Sequence, residues 1–239
     1  MSSESIFSEI YLKRRWGKNV PLSGEGSSPS AVDPYLEFLL DFLDQHKEIQ
    51  VILDIGHGDW EMWPEGFFKD YQYFGVDVVS HLSNEMNLVH GNEKTQFLGG
   101  DFLEIELPNS DVLLIKDVLI HLSNSDISRA IRVFSKYRYV IVTTDILSSG
   151  IRVFLACLIR LVSTAKWKKI IQSKGRPEKI IEFALESDIQ TGSYHWVKLN
   201  DTFLRNENTN LQIKSVHNYE VSGITLGRKV IKQIVILGI

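Results

Sequence analysis

Cysteine is almost missing from these 239 residues, with Cys157 standing alone. That count excludes a disulfide framework and a cysteine-ligated zinc site, and a reducing compartment, by default the cytoplasm, is the expectation. Long apolar runs are missing too. No uncharged stretch is long enough to cross a bilayer, and Met1 to Arg15 carries both signs of charge where a secretory signal needs an apolar run. A formal charge of -4 gives no electrostatic footprint for nucleic acid, which is not expected as a partner. The histidines show no pair at metal-ligand helical spacing, so no metal is expected. Internal repeats and low-complexity segments are also lacking.

What is present suits one core: 44% of the residues are hydrophobic, ample for a single domain over residues 1–239 and small for two. Val20 to Ser30 reads as a Gly/Ser/Pro loop, and Asp33-Pro34 as the cap and first position of a helix. In that helix Leu36, Leu39, Leu40 and Leu43 recur at three and four, so one face is expected to bury while Glu37, Asp41 and Asp44 stay wet. Short apolar runs then predict strands at Val51 to Ile55, Tyr73 to Val78, Thr95 to Leu98, Val112 to Ile115 and Tyr139 to Thr143. A helix over Ser125 to Tyr137 separates the last two. Such alternation predicts a parallel sheet covered on both faces. Leu211 to Tyr219 and Val230 to Ile236 are β-rich runs joined by too little chain for a crossover helix, so they should pair antiparallel. The expected class is α/β, a Rossmann-like, seven-stranded, mostly parallel sheet with helices on both faces and a C-terminal antiparallel hairpin.

The stretch VILDIGHGD, Val51 to Asp59, is an apolar strand running into a Gly-x-Gly turn with carboxylates on either side. Gly56 and Gly58 supply backbone angles and a missing Cβ that let main chain approach a nucleotide-like ligand. A dinucleotide fingerprint asks for a third small residue, and Glu61 stands there instead. Asp77, about twenty residues on, suits a ribose diol in either cofactor class. Gly99-Gly100-Asp101-Phe102 separates the classes, because a carboxylate beside an aromatic ring suits an adenine amino group and its stacked face.

Taken in order, the DIGHGDW turn, WGKNVPLSGEGSS, FGVD, GGDFLEIELPNSDVLLIKDVLIHLS, TTD and SDIQTGSYHWVKL make the chain resemble the class I S-adenosylmethionine-dependent methyltransferases. The likeness points to a bacterial group of mostly unassigned substrate. The group usually has Cys where His57 stands and Arg where Lys116 stands, and the last Gly of its D-x-G-x-G-x-G pattern is Trp60 here. The resemblance implies that Gly56 and Gly58 approach the methionine part of S-adenosyl-L-methionine, with Asp54 organising the turn. It implies that Asp77, with Val78 beside it, holds the ribose, that Asp101 and Phe102 meet the adenine, and that Lys116 borders the methionine end. Within 20–30, Ser23, Gly24, Gly26 and Ser27 would form a lid.

A cationic sulfonium suits a carboxylate-rich turn, and an activated methyl needs mainly an aligned lone pair. His121 is the candidate base where the acceptor must lose a proton; the alternative is a residue that caps the next helix or packs under its loop. Asp117 could orient His121, bind substrate, or satisfy loop amides. Tyr194, His195, Trp196 and Lys198 could line an acceptor pocket or pack as core. In 146–185, Arg152, Arg160, Lys166, Lys168, Lys169, Lys174 and Arg176 punctuate an apolar run, which reads as a basic amphipathic cap over the substrate. A peripheral membrane contact or a homodimer face are the alternatives for it. The expectation is a metal-free methyltransferase acting on a small-molecule or glycan oxygen. An NAD-dependent oxidoreductase and a non-catalytic cofactor-binding or scaffold module are the competing readings.

Overall fold

The structure, a computed structural model, describes residues 2–16, 21–146, 188–195, 197, 199–224 and 228–239. The segment 147–185 read above as a cap, together with Trp196 and Lys198, lies outside the described residues. Helix α1 (Ser3–Leu12) leads through the 21–28 loop into α2 (Pro29–Gln45). Strands β1 (Val51–Ile55), β2 (Gln72–Asp77), β3 (Thr95–Gly99), β4 (Val112–Lys116) and β5 (Tyr139–Ile146) follow, with α3 (Ser80–His90) and α4 (Asn124–Phe134) between them. Helix α5 (Asp201–Asn206) precedes a hairpin of β6 (Gln212–Ile224) and β7 (Arg228–Gly238). The sheet runs β3-β2-β1-β4-β5-β7-β6. Its first five strands are parallel and β6 pairs antiparallel with β7, as the patterning predicts, and β7 is also antiparallel to β5.

Period-two alternation sorts the core onto two faces. Leu53, Leu113, Ile115 and Val142 meet Ile127, Ile131 and Phe134 of α4. Ile52, Leu114, Ile141 and Ile234 meet Tyr35, Leu39, Phe42 and Leu43 of α2. Leu40 is 53% exposed, a correction to the expected stripe, because Tyr35 and Phe42 complete the buried face in its place. The helix also starts earlier than Asp33-Pro34. Ser28 is its N-cap and Pro29 occupies the first turn, while Pro34 sits inside. Burying Ala31 and Val32 holds that additional turn despite the hydrogen bond Pro34 cannot donate. Helix α3, unread from the sequence, covers β2 and β3 through Met86, while its Leu82 meets Phe7 and Ile10 of α1. No helix among the described residues is long and apolar enough to cross a membrane.

The parallel register brings the carboxyl ends of β1, β2, β3 and β4 to one edge. Strand β7 enters at the same edge from the opposite direction, pairing Lys232 with Asp145 of β5. Long-range polar contacts are therefore available where the loops open.

Candidate functional site

Beyond Ile55 the backbone turns left-handed at Gly56 (φ 79°), Gly58 (φ 60°) and Trp60 (φ 57°). A Cβ on Gly56 would stand 2.4 Å from Cγ2 of Val118, and one on Gly58 would stand 2.1 Å from Oγ of Ser23. These glycines are needed for close approach as much as for their angles. Trp60 occupies the position where the related pattern has glycine, and it does adopt the left-handed angle. Its strain, about 1–2 kcal/mol, is offset by an indole N–H donated to the Tyr73 hydroxyl at 3.0 Å and by edge contact with Phe97.

Asp59 fixes the 21–28 loop to this turn. Its carboxylate accepts from the Ser23 amide at 3.0 Å and from the Ser23 hydroxyl at 2.7 Å, while its own amide donates to the Ser23 Oγ. Ser23, Gly24, Gly26 and Ser27 all border one cavity of about 300 Å³, which Gly56, Asp54, Asp77, Val78, Asp101, Phe102, Lys116, Asp117 and His121 also line. These sequence candidates therefore meet at one place, whereas Gly58 and His195 are not part of its lining. Asp77 accepts from the amides of Gly58 (3.2 Å) and Val79 (2.9 Å), and Asp101 accepts from the Leu103 amide at 3.0 Å. The Phe102 ring is 7% exposed.

Asp54 departs from expectation. It does not organise the turn amides; its carboxylate accepts from the Tyr73 hydroxyl at 2.7 Å beneath the turn. Burial pushes its carboxyl from 3.8 to about 6. Such a raised carboxyl costs the fold most above pH 6, where both states are ionised, and nothing below 3.8, where both are protonated. Asp54→Asn is therefore expected to stabilise by about 2–3 kcal/mol near neutral pH and to change little near pH 4, as read from urea midpoints at the two values. Equal midpoint shifts at both would refute the assignment.

The sequence reading missed a buried chain of charges on the cavity's far wall. Lys116 donates to the Gly26 carbonyl and to Asp117, both at 2.8 Å. Lys232 donates to Asp117 at 2.8 Å and to Asp145 at 2.7 Å, and the Tyr194 hydroxyl donates to the other Asp145 oxygen at 2.8 Å. A Cβ on Gly26 would stand 3.0 Å from the Asp117 carboxylate, so glycine lets the loop reach this chain. Burial works to raise Asp117, but Lys116 and Lys232 outweigh it and hold the carboxyl well below its ordinary range. Burial lowers Lys116. It also opposes charge on Lys232, yet Asp117 and Asp145 keep that ammonium above the ordinary lysine range. Asp117 itself has φ 59°. Among the described residues its carboxylate accepts from Lys116 on one oxygen and Lys232 on the other, and not from His121 or from loop amides. The available signal was a lysine interrupting the apolar run of β7.

His121 ends a short 3-10 turn, Leu119–His121, and its Nδ1 lies 2.8 Å from the Ser193 carbonyl. A carbonyl only accepts, so Nδ1 carries the hydrogen and Nε2 the lone pair. Burial lowers the ring's pKa, so the neutral form dominates at physiological pH. The Gly192 amide donates to the His121 carbonyl and the His195 amide to that of Ile120, which stitches 192–195 against this turn. Trp16 and Tyr194 lie against the imidazole with ring centroids at 5.2 and 6.2 Å. Helix α1 adds Phe7 and Tyr11 to the cavity wall. Among the described residues no group of three or more His, Cys, Asp or Glu could hold a metal.

No model of a known protein family matches the chain. A curated relative, a UTP–glucose-1-phosphate uridylyltransferase from Synechocystis, is 30% identical over 173 residues, which cover 70% of this chain and 42% of that protein. The chain thus spans about two-fifths of the length of that relative, and the uridylyl transfer in its name is said of that protein alone. Solved structures agree over nearly the whole chain. The magnesium protoporphyrin IX methyltransferase of Synechocystis with bound S-adenosylhomocysteine (SAH) matches with a TM-score of 0.56 at 12% identity, over 99% of both chains. The 1,6-didemethyltoxoflavin-N1-methyltransferase of Burkholderia thailandensis, with SAH and its acceptor bound, gives 0.59 at 12% identity, over 98% of this chain and 86% of its own. The N-methyltransferase NodS of Bradyrhizobium japonicum, also with SAH, gives 0.55 at 10% identity, over 96% and 97%. The described fold is that of the S-adenosylmethionine-dependent methyltransferases.

Proposed function

We propose that this chain, built on the methyltransferase fold, transfers a methyl group from S-adenosyl-L-methionine to an oxygen of a small molecule or glycan. The observation that carries this reading is the meeting of Asp54, Asp77 and Asp101, from three successive strand ends, with Gly56 around one cavity. Carboxylates favour a cationic ligand, and Gly56 borders the cavity with no side chain of its own, which suits a ligand that approaches main chain. Asp77 would hold the ribose hydroxyls, Asp101 and Phe102 the adenine, and Gly56, Gly58 and Lys116 the methionine end. When bound, S-adenosylmethionine supplies a methyl on positively charged sulfur, and its passage to a hydroxyl leaves a neutral thioether, an ether and one proton.

The chain's own part is alignment, exclusion of water and disposal of that proton. His121 accepts it at Nε2, with Nδ1 held by the Ser193 carbonyl so that the ring stays in one tautomer. The 21–28 loop, fastened by Asp59 and by Lys116, covers the cavity. Titration calorimetry with S-adenosylmethionine, SAH and NAD tests the reading: heat from the first two and none from the third is expected. A folded sample that ignores both sulfur compounds sinks it. With an acceptor in hand, His121→Gln is expected to lower turnover by about two to four orders of magnitude while SAH affinity stays within about twofold. Unchanged turnover would return His121 to a packing role.

A further inference from the structure

We infer that His57 sets the preference of the glycine turn between the sulfonium donor and SAH: the neutral ring tolerates the donor, and the protonated ring favours SAH. This rests on the methyltransferase reading above and adds a specificity-determining residue to it. His57 stands between Gly56 and Gly58, is 4% exposed and lines the cavity. Its ring is wedged in place. A Cβ on Gly75 would stand 3.0 Å from its Cδ2, and Phe97 lies edge-on with ring centroids 4.9 Å apart.

The hydrogen bonds around this ring do not close for its neutral form. Nδ1 lies 2.8 Å from the Gly58 carbonyl, which only accepts, so Nδ1 carries a hydrogen. Nε2 lies 2.9 Å from the Ser83 hydroxyl, whose oxygen lies 3.1 Å from the Leu98 carbonyl. Ser83 has one hydrogen. In the neutral ring it must go to Nε2, and the Leu98 bond is lost. In the imidazolium Nε2 donates to Ser83 and Ser83 donates to Leu98, so all three bonds form together. A proton can therefore be taken up where the ring stands, by rotation of one hydroxyl. Burial draws the ring below the ordinary histidine range, opposed by Asp77 from the end of β2, the Gly58 carbonyl and Asp59 of the same turn. From α3 it meets the Ser83 hydroxyl and from β3 the Phe97 ring. The neutral form prevails at neutral pH, and acidification charges it.

The donor and SAH differ by one positive charge, as do the two states of His57. The coupling between those two differences is a repulsion whatever other charges the cavity holds, because every fixed charge cancels from it.

The coupling must read the same from both sides. In nuclear magnetic resonance, with the His57 ring assigned through its own backbone amide, its titration midpoint is expected about 0.5–1 pH lower in the donor complex than in the SAH complex. In calorimetry, affinity for the donor should fall about three- to tenfold relative to SAH between about pH 7 and pH 5, where the amino groups of both ligands stay protonated. Asp54 titrates in that window, at about 6. The calorimetry is therefore done in Asp54→Asn, and adding His57→Gln should hold the relative fall under about twofold. Equal His57 midpoints in the two complexes, or an undiminished fall in the double variant, overturns the inference and leaves the methyltransferase reading intact. Failure of both ligands to bind takes down that reading and the inference with it.

Discussion

Replacing Lys232 with methionine is expected to destabilise the fold by about 3–5 kcal/mol at neutral pH. Lys232 is 2% exposed and bridges two carboxylates from different strands, Asp117 beyond β4 and Asp145 in β5. Methionine matches the length of the stem but leaves both carboxylates buried, with Lys116 on Asp117 and the Tyr194 hydroxyl on Asp145 as their remaining side-chain partners among the described residues. Removing one member of a buried ionic cluster costs more than the cluster contributed, because desolvated charge is left without a partner. The sign with pH follows from the shifts. Asp117 sits below its ordinary range, so its stabilisation is present above the unfolded value and lost as pH falls through the folded one. Lys232 sits above its ordinary range, so its share persists through neutral pH and is lost only as strong alkali removes the proton. The deficit of Lys232→Met should therefore narrow toward pH 4, where stranded carboxyls are protonated. Lys232→Met combined with Asp145→Asn should recover half or more of the loss, since the amide still accepts from Tyr194. Urea unfolding of the three proteins decides it: a deficit that is independent of pH and unrelieved in the double variant would mean packing, not charge, holds this wall.

The strand tips of the site were legible because local pattern determines them: an apolar run, then Gly or Asp, at each carboxyl end. Asp77, Asp101 and the glycines required only strand assignment and parallel order. Asp145 and Lys232 are 87 residues apart and face each other only through the antiparallel register of β7 on β5, which no local window contains. Proximity in sequence misled in the opposite direction, since Asp117 and His121 are four positions apart and bond to different partners. Asp54 follows the same logic: its partner, Tyr73, comes from the neighbouring strand and not from the turn it adjoins. The start of α2 was ambiguous because Ser28-Pro29 and Asp33-Pro34 are both cap-and-proline pairs. Burial of the turn between them chose the first, and burial is a tertiary fact. Trp60 shows that a position can keep the backbone angle its pattern implies while losing the glycine, provided a hydrogen bond and an aromatic contact offset the strain.

Asp77→Ala is expected to weaken SAH binding by about a hundredfold or more. An ionised carboxylate accepting from two ribose hydroxyls contributes about 1.5–3 kcal/mol for each bond, and alanine removes both. The side chain also holds the fold locally, because its two oxygens accept from the amides of Gly58 and Val79 and it is only 5% exposed. A stability loss of about 1–3 kcal/mol without ligand is therefore expected alongside the binding loss. Asp77→Asn separates the two contributions. The amide keeps one acceptor oxygen for the turn, so stability should be mostly retained, whereas its NH2 group cannot accept from the second hydroxyl and affinity should fall by about tenfold. Calorimetry with SAH beside thermal unfolding of the free proteins reads both effects. If Asp77→Ala unfolds earlier yet binds SAH as tightly as the parent, the carboxylate serves the Gly58 turn alone, and the ribose must be held from another strand end.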